Sequence, residues 1–93
     1  MAVAMVLEWA SGFDRDKYVT ISQRVGTENR LADGCLSHAV GFAEDGSAYV
    51  AEVWESQEKA AAFGELSGPA VADVGFPPPS KVTVFETFRF ERG

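Results

Sequence analysis

Cysteine, histidine and asparagine occur once each in the 93 residues, as Cys35, His38 and Asn29. A lone cysteine excludes an internal disulfide, and one Cys with one His cannot supply the four ligands of a structural zinc site. Charge of one sign is also scarce: 8 Lys and Arg stand against 14 Asp and Glu, giving a net charge of -6, with the basic residues scattered along the chain. Nucleic acid is therefore not an expected partner, because such binding needs a concentrated positive surface to neutralise phosphates. An anionic membrane surface is disfavoured by the same charge. Long apolar runs are missing too. Met1 to Leu7 is apolar but lacks the basic flank and length of a secretory signal, and it falls far short of the roughly 20 residues needed to cross a bilayer. The expectation is a soluble, cytoplasmic protein with one domain over residues 1–93. There is no glycine-rich phosphate loop, no Gly-x-Ser-x-Gly elbow, no internal repeat and no low-complexity tract.

Hydrophobic residues make up 46% of the chain and aromatics 12%, an ordinary globular balance. Four segments rich in branched and aromatic residues read as strands: Ala2 to Trp9, Cys35 to Ala43, Ser47 to Glu55 and Lys81 to Phe90. Glu44-Asp45-Gly46 between the second and third signals a hairpin, since glycine accepts the positive φ of the turn. Two helices separate the other strands. In the first, Asp14 is placed to cap, Phe13 and Tyr18 to form a hydrophobic staple, and Tyr18, Ile21 and Val25 to share a face before Gly26 ends it. In the second, Ser56 caps a run Lys59-Ala60-Ala61-Ala62-Phe63, with an interruption expected at Gly68-Pro69 and a separate turn over Val71 to Val74.

The order strand, helix, strand, strand, helix, strand is that of the α+β, ferredoxin-like βαββαβ fold, a four-stranded antiparallel sheet with two helices on one face. A sheet with one wet face should alternate apolar with polar. The first strand instead places Ala2, Ala4 and Val6 on one face and Val3, Met5, Leu7 and Trp9 on the other, so both faces look dry. On the fourth, Val82, Val84, Phe88 and Phe90 share one side and Phe85 the other. A second copy of the chain is the expected cover, making a homodimer whose two sheets enclose a mostly apolar interior.

The element order, and especially Val53-Trp54-Glu55-Ser56-Gln57-Glu58-Lys59-Ala60 at the junction of third strand and second helix, resembles the dimeric α/β-barrel superfamily and its antibiotic-biosynthesis-monooxygenase-like branch. Gly34-Cys35-Leu36-Ser37-His38 is similar to the second-strand entry of small members of that group. The resemblance covers nearly the whole chain. It implies one of several activities: cofactor-free oxygenation of an aromatic or polyketide-like small molecule, polyketide cyclisation or isomerisation, or non-catalytic ligand binding. In the cofactor-free monooxygenases it also implies a pocket asparagine, and the only one here is the loop residue Asn29.

His38 is the candidate catalytic base or acid, because its ordinary pKa lies near neutrality. Alternation places it with Leu36, Val40 and Phe42. Glu8, Glu52 and Glu86 are strand carboxylates among apolar neighbours, able to orient His38 or to pair with Arg89 or Arg92 at the rim. Trp9, Tyr49, Trp54 and Phe85 are candidate ligand-binding aromatics, whose flat faces stack on phenolic or polycyclic molecules and serve equally as core. Cys35 reads as a small buried residue. No cofactor and no metal are expected, the oxidisable ligand itself supplying electrons to oxygen once deprotonated.

Overall fold

In the computed structural model, which describes residues 2–91, six elements follow in the expected order. They are β1 (Val3–Trp9), α1 (Arg15–Val25), β2 (Cys35–Phe42), β3 (Ala48–Trp54), α2 (Gln57–Val74) and β4 (Lys81–Glu86). The sheet order is β2-β3-β1-β4 with every neighbouring pair antiparallel, which is the ferredoxin-like arrangement. Arg92, and any rim pairing through it, lies outside the described residues.

Local chemistry sets the element ends. Asp14 accepts from the Lys17 N–H at 3.1 Å, and Gly26 closes α1 at φ 78°. The β2–β3 hairpin turns through Ala43 to Ser47, with Gly46 at φ 90° donating to the Ala43 carbonyl at 3.0 Å. That is a type I turn closed by a left-handed glycine.

Two elements differ from expectation. α2 runs unbroken through Gly68-Pro69. Pro69 deprives the Glu65 carbonyl of its usual partner, but it is exposed, and continuing the helix keeps Ala70 buried. β4 stops at Glu86 rather than Phe90, because its partner runs out: Thr87 makes the last bonds, N–H and Oγ1 each donating to the Ala2 carbonyl at 2.9 Å. Phe88 beyond it is 98% exposed.

Register assigns the faces. Val3, Met5, Leu7 and Trp9 of β1 line up with Trp54, Glu52, Val50 and Ala48 of β3, and Val40 and His38 of β2 with Val50 and Glu52. This face carries the helices, shown by Phe63 against Trp54 and Tyr18 against His38. The opposite face holds Ala4, Val6, Ala39, Ala51, Val53 and Phe85 among Glu8, Ser37, Tyr49, Lys81 and Thr83, and among the described residues neither helix packs on it, although Ala4 is buried. The core centres on Trp9, Ala48 and Val50, packed by Leu7, Phe13, Tyr18 and Phe76. Among the described residues no helix is long and apolar enough to cross a membrane.

Candidate functional site

The sheet and helices do not close completely on one another. Between them lies a cavity of about 290 Å³, near the lower end of the range for small-molecule sites. Leu7, Val50, Trp54 and Trp9 form its sheet wall, Ile21, Val25, Phe63 and Val71 its helix wall, and Phe76 with Pro77, Pro78 and Pro79 one end. Trp9 is held there by its indole N–H, which donates to the Pro77 carbonyl at 2.9 Å, and by edge contacts with Phe13 and Phe76. Three successive prolines make this end stiff, since each ring fixes its φ.

Ser22, Thr27, Arg30 and Ser67 add polar groups to the lining, and the titratable pair His38 and Glu52 stands on the sheet wall. His38 and Glu52 are cross-strand partners on β2 and β3, so antiparallel pairing alone sets them side by side. His38 Nε2 is 3.6 Å from Glu52 Oε2, too long for a hydrogen bond but close enough for attraction when the imidazole is protonated. The Glu52 side chain is 13% exposed and is fixed on its other oxygen by the Trp54 indole N–H at 3.1 Å. Trp54, 2% exposed, thus spends its polar atom on Glu52 and offers the cavity only its ring.

From α1 comes Tyr18, whose hydroxyl lies 2.9 Å from His38 Nε2 with the two rings nearly parallel. Burial pushes the Tyr18 phenol up to about 12, and the negative charges of Glu52 and Cys35 push the same way. The phenol therefore keeps its proton near neutrality and is available to donate to Nε2 of a neutral imidazole, whose own proton then sits on Nδ1. Cys35 also reaches the cavity. Burial first, then the Glu52 charge, raises its thiol pKa, which disfavours the reactive thiolate.

A bulge explains why Cys35 is there. Cys35 faces Trp54 and Ser37 faces Val53, leaving Leu36 as an extra residue on β2. Simple alternation from His38 put Leu36 on the cavity face; the bulge breaks that parity and puts Cys35 there instead.

Of the residues singled out from the sequence, His38, Glu52, Trp54 and Trp9 line this one cavity. Tyr49 and Phe85 fall on the opposite face of the sheet and do not line it. Glu8 shares that face, opposite Tyr49 and Lys81, while Glu86 is exposed at the end of β4. Arg89 pairs with Glu91 at 2.7 Å, and Asn29 is not in the cavity wall. The cavity also differs in place from a space shared between two sheets: it lies under the helices of a single chain. Tyr18 is the residue the sequence reading passed over as a site member. Its helical spacing with Ile21 and Val25 accounted for it as core, and the signal available was a phenol in the apolar stripe of the helix following β1. Among the described residues no group of three or more His, Cys, Asp or Glu is placed to hold a metal ion.

No family model matches the chain, and no curated protein matches it. Solved structures do. A candidate antibiotic biosynthesis monooxygenase from Chloroflexus aurantiacus superposes with a TM-score of 0.71 at 16% identity, covering 99% of this chain and 98% of that one. Rv0793 from Mycobacterium tuberculosis gives 0.69 at 20% identity, covering 99% and 100%. A second candidate antibiotic biosynthesis monooxygenase, from Deinococcus radiodurans, gives 0.56 at 15% identity over 99% and 97%. The chain shares their ferredoxin-like fold over its whole described length.

Proposed function

We propose that the protein binds a small, mainly apolar ring compound carrying an ionisable hydroxyl, of aromatic or polyketide-like type, and moves a proton on it as the first step of a cofactor-independent oxygenation. The observation that carries this reading is the convergence of Tyr18 from α1 with His38 and Glu52 from the sheet in a largely apolar cavity, whose other polar lining residues include Ser22, Thr27, Arg30 and Ser67. Apolar walls select a ring compound and discourage water. The imidazole takes up the proton of a phenol or enol, and the nearby carboxylate stabilises the imidazolium. The resulting carbanion or phenolate can give an electron to oxygen directly. For a ring methylene the balance is one CH2 plus one O2 giving one C=O plus one water.

The protein acts as a homodimer in this reading. A folded monomer of this mass exposes about 5,200 Å² by size scaling. The chain exposes 6239 Å². The excess is close to the roughly 800 Å² per partner that a standard interface removes. The uncovered sheet face, with Ala4, Val6, Ala39, Ala51, Val53 and Phe85, is the natural place for a second copy.

Oxygen consumption with anthrone tests the chemistry. Anthrone is a carbon acid whose enol is a phenol, and its oxygenation gives anthraquinone and water. The expectation is uptake above the uncatalysed rate, falling by about 10²-fold or more in His38→Ala. Full uptake in that variant removes His38 from the mechanism. Saturable binding with no uptake, in the intact protein, replaces oxygenation with cyclisation or with binding alone.

A further inference from the structure

We infer that the Tyr18 hydroxyl, rather than the imidazole, is the group that touches the ligand's acidic O–H, and that it passes the proton on to Nε2 of His38 while Glu52 faces the imidazolium so formed. This rests on the reading above, and it names the atom through which that site acts.

The first support is occupancy. A neutral imidazole has one lone pair, in the ring plane; in the tautomer that accepts from Tyr18 it lies on Nε2, and the Tyr18 oxygen sits 2.9 Å from that nitrogen. Glu52 Oε2 stands 3.6 Å from the same nitrogen. A ligand reaches that nitrogen either by evicting Tyr18 or through the Tyr18 oxygen. Eviction is disfavoured by packing: the Tyr18 ring lies 5.2 Å from Phe13, 6.0 Å from Phe76 and parallel to the imidazole within 11°. A phenol oxygen that donates one hydrogen bond can still accept another, so the ligand O–H has a ready acceptor in the cavity wall.

The second support is that the phenol resists ionisation, being pushed up to about 12. A free tyrosinate is thus not an intermediate. The transfer is concerted: the ligand O–H breaks as a new Tyr18 O–H forms, and the old Tyr18 O–H breaks as His38 Nε2–H forms. Tyr18 is neutral before and after. The net change is one ligand anion and one imidazolium, the latter beside Glu52. Tyr18 on α1 and Glu52 on β3 face His38 directly, and Cys35 at the start of β2 and Arg30 in the loop before it are the other titratable or charged groups lining the cavity.

4-Nitrophenol is a suitable probe, because the absorbance of its phenol and phenolate forms reports ionisation directly. At a pH where about half is ionised in solution, the intact protein is expected to bind it saturably and raise the phenolate fraction of the bound probe. Tyr18→Phe keeps the ring packing. It is expected to bind no more than about tenfold more weakly, the worth of one hydrogen bond, and to lose the extra phenolate. His38→Gln tests the same path from its other end and is expected to lose it too. A wild-type phenolate fraction in either variant, or no increase in the intact protein despite binding, overturns the relay. Absence of saturable binding by the intact protein overturns the cavity reading itself, a separate outcome.

Discussion

Tyr18 packs its ring against Phe13 and Phe76 and sets its hydroxyl 2.9 Å from Nε2 of His38. Its place in the α1 stripe follows from spacing alone, and so does its burial. What spacing does not show is that β2 brings His38 under its hydroxyl. His38 and Glu52 were legible as candidates because each is a polar group on a largely apolar strand. Their pairing with Tyr18 and Trp54 depends on register between β2 and β3 and on the crossover of α1, which are long-range properties. Tyr49 and Phe85 show the converse: aromatic character was visible in the sequence, but which face of the sheet holds the cavity was not. A direct consequence for Tyr18 lies at alkaline pH. Its folded-state pKa of about 12 exceeds the unfolded value near 10, so the folded state holds the proton more tightly. The corresponding stability is fully present below about pH 10 and is lost as pH rises toward about 12. Denaturant melts across this window should show stability falling in the wild type and a flatter profile in Tyr18→Phe. Identical slopes for the two proteins contradict the assignment.

At the scale of elements, the strands, α1 and the hairpin were legible because their end signals are local: Asp14, Gly26 and Asp45-Gly46. The misread features are those where tertiary packing outweighs a local rule. α2 carries Gly68-Pro69 without breaking, since ending it there would unseat Ala70 and move Val71 out of the cavity wall. Helix-interior proline is unfavourable by about 3 kcal/mol relative to alanine, and Pro69 is exposed, so little packing is lost on replacing it. Pro69→Ala is therefore expected to stabilise the protein by about 1 to 3 kcal/mol in urea unfolding, with an unchanged slope. A destabilised variant would mean that the proline ring itself is required by the packing of α2. The β2 bulge was equally invisible, because Cys35-Leu36-Ser37 reads as regular alternation; pairing with Trp54 and Val53 reveals the extra residue.

For the whole molecule, the alternation of β1 predicts a sheet with two apolar faces and a second copy as cover. The structure assigns those faces unequal roles, one closing over a ligand-sized cavity inside the chain and the other left open. Val82 and Val84 on the helix side of β4 are 50% and 42% exposed, and Phe85 on the open side is 51%, so the β4 edge leaves apolar surface on both faces. In the proposed homodimer a second copy would remove that surface from water, at about 25 cal/mol per Å² of apolar area before the costs of association.

Native mass spectrometry of the protein with added 1-naphthol tests the central claim most directly, because subunit count and ligand count appear in one spectrum. A cavity within each chain predicts a dimer near twice 10.0 kDa carrying up to two naphthol molecules, with retention reduced in Tyr18→Phe. A dimer saturating at one naphthol, or a protein retaining none, contradicts a ligand site beneath the helices of each chain.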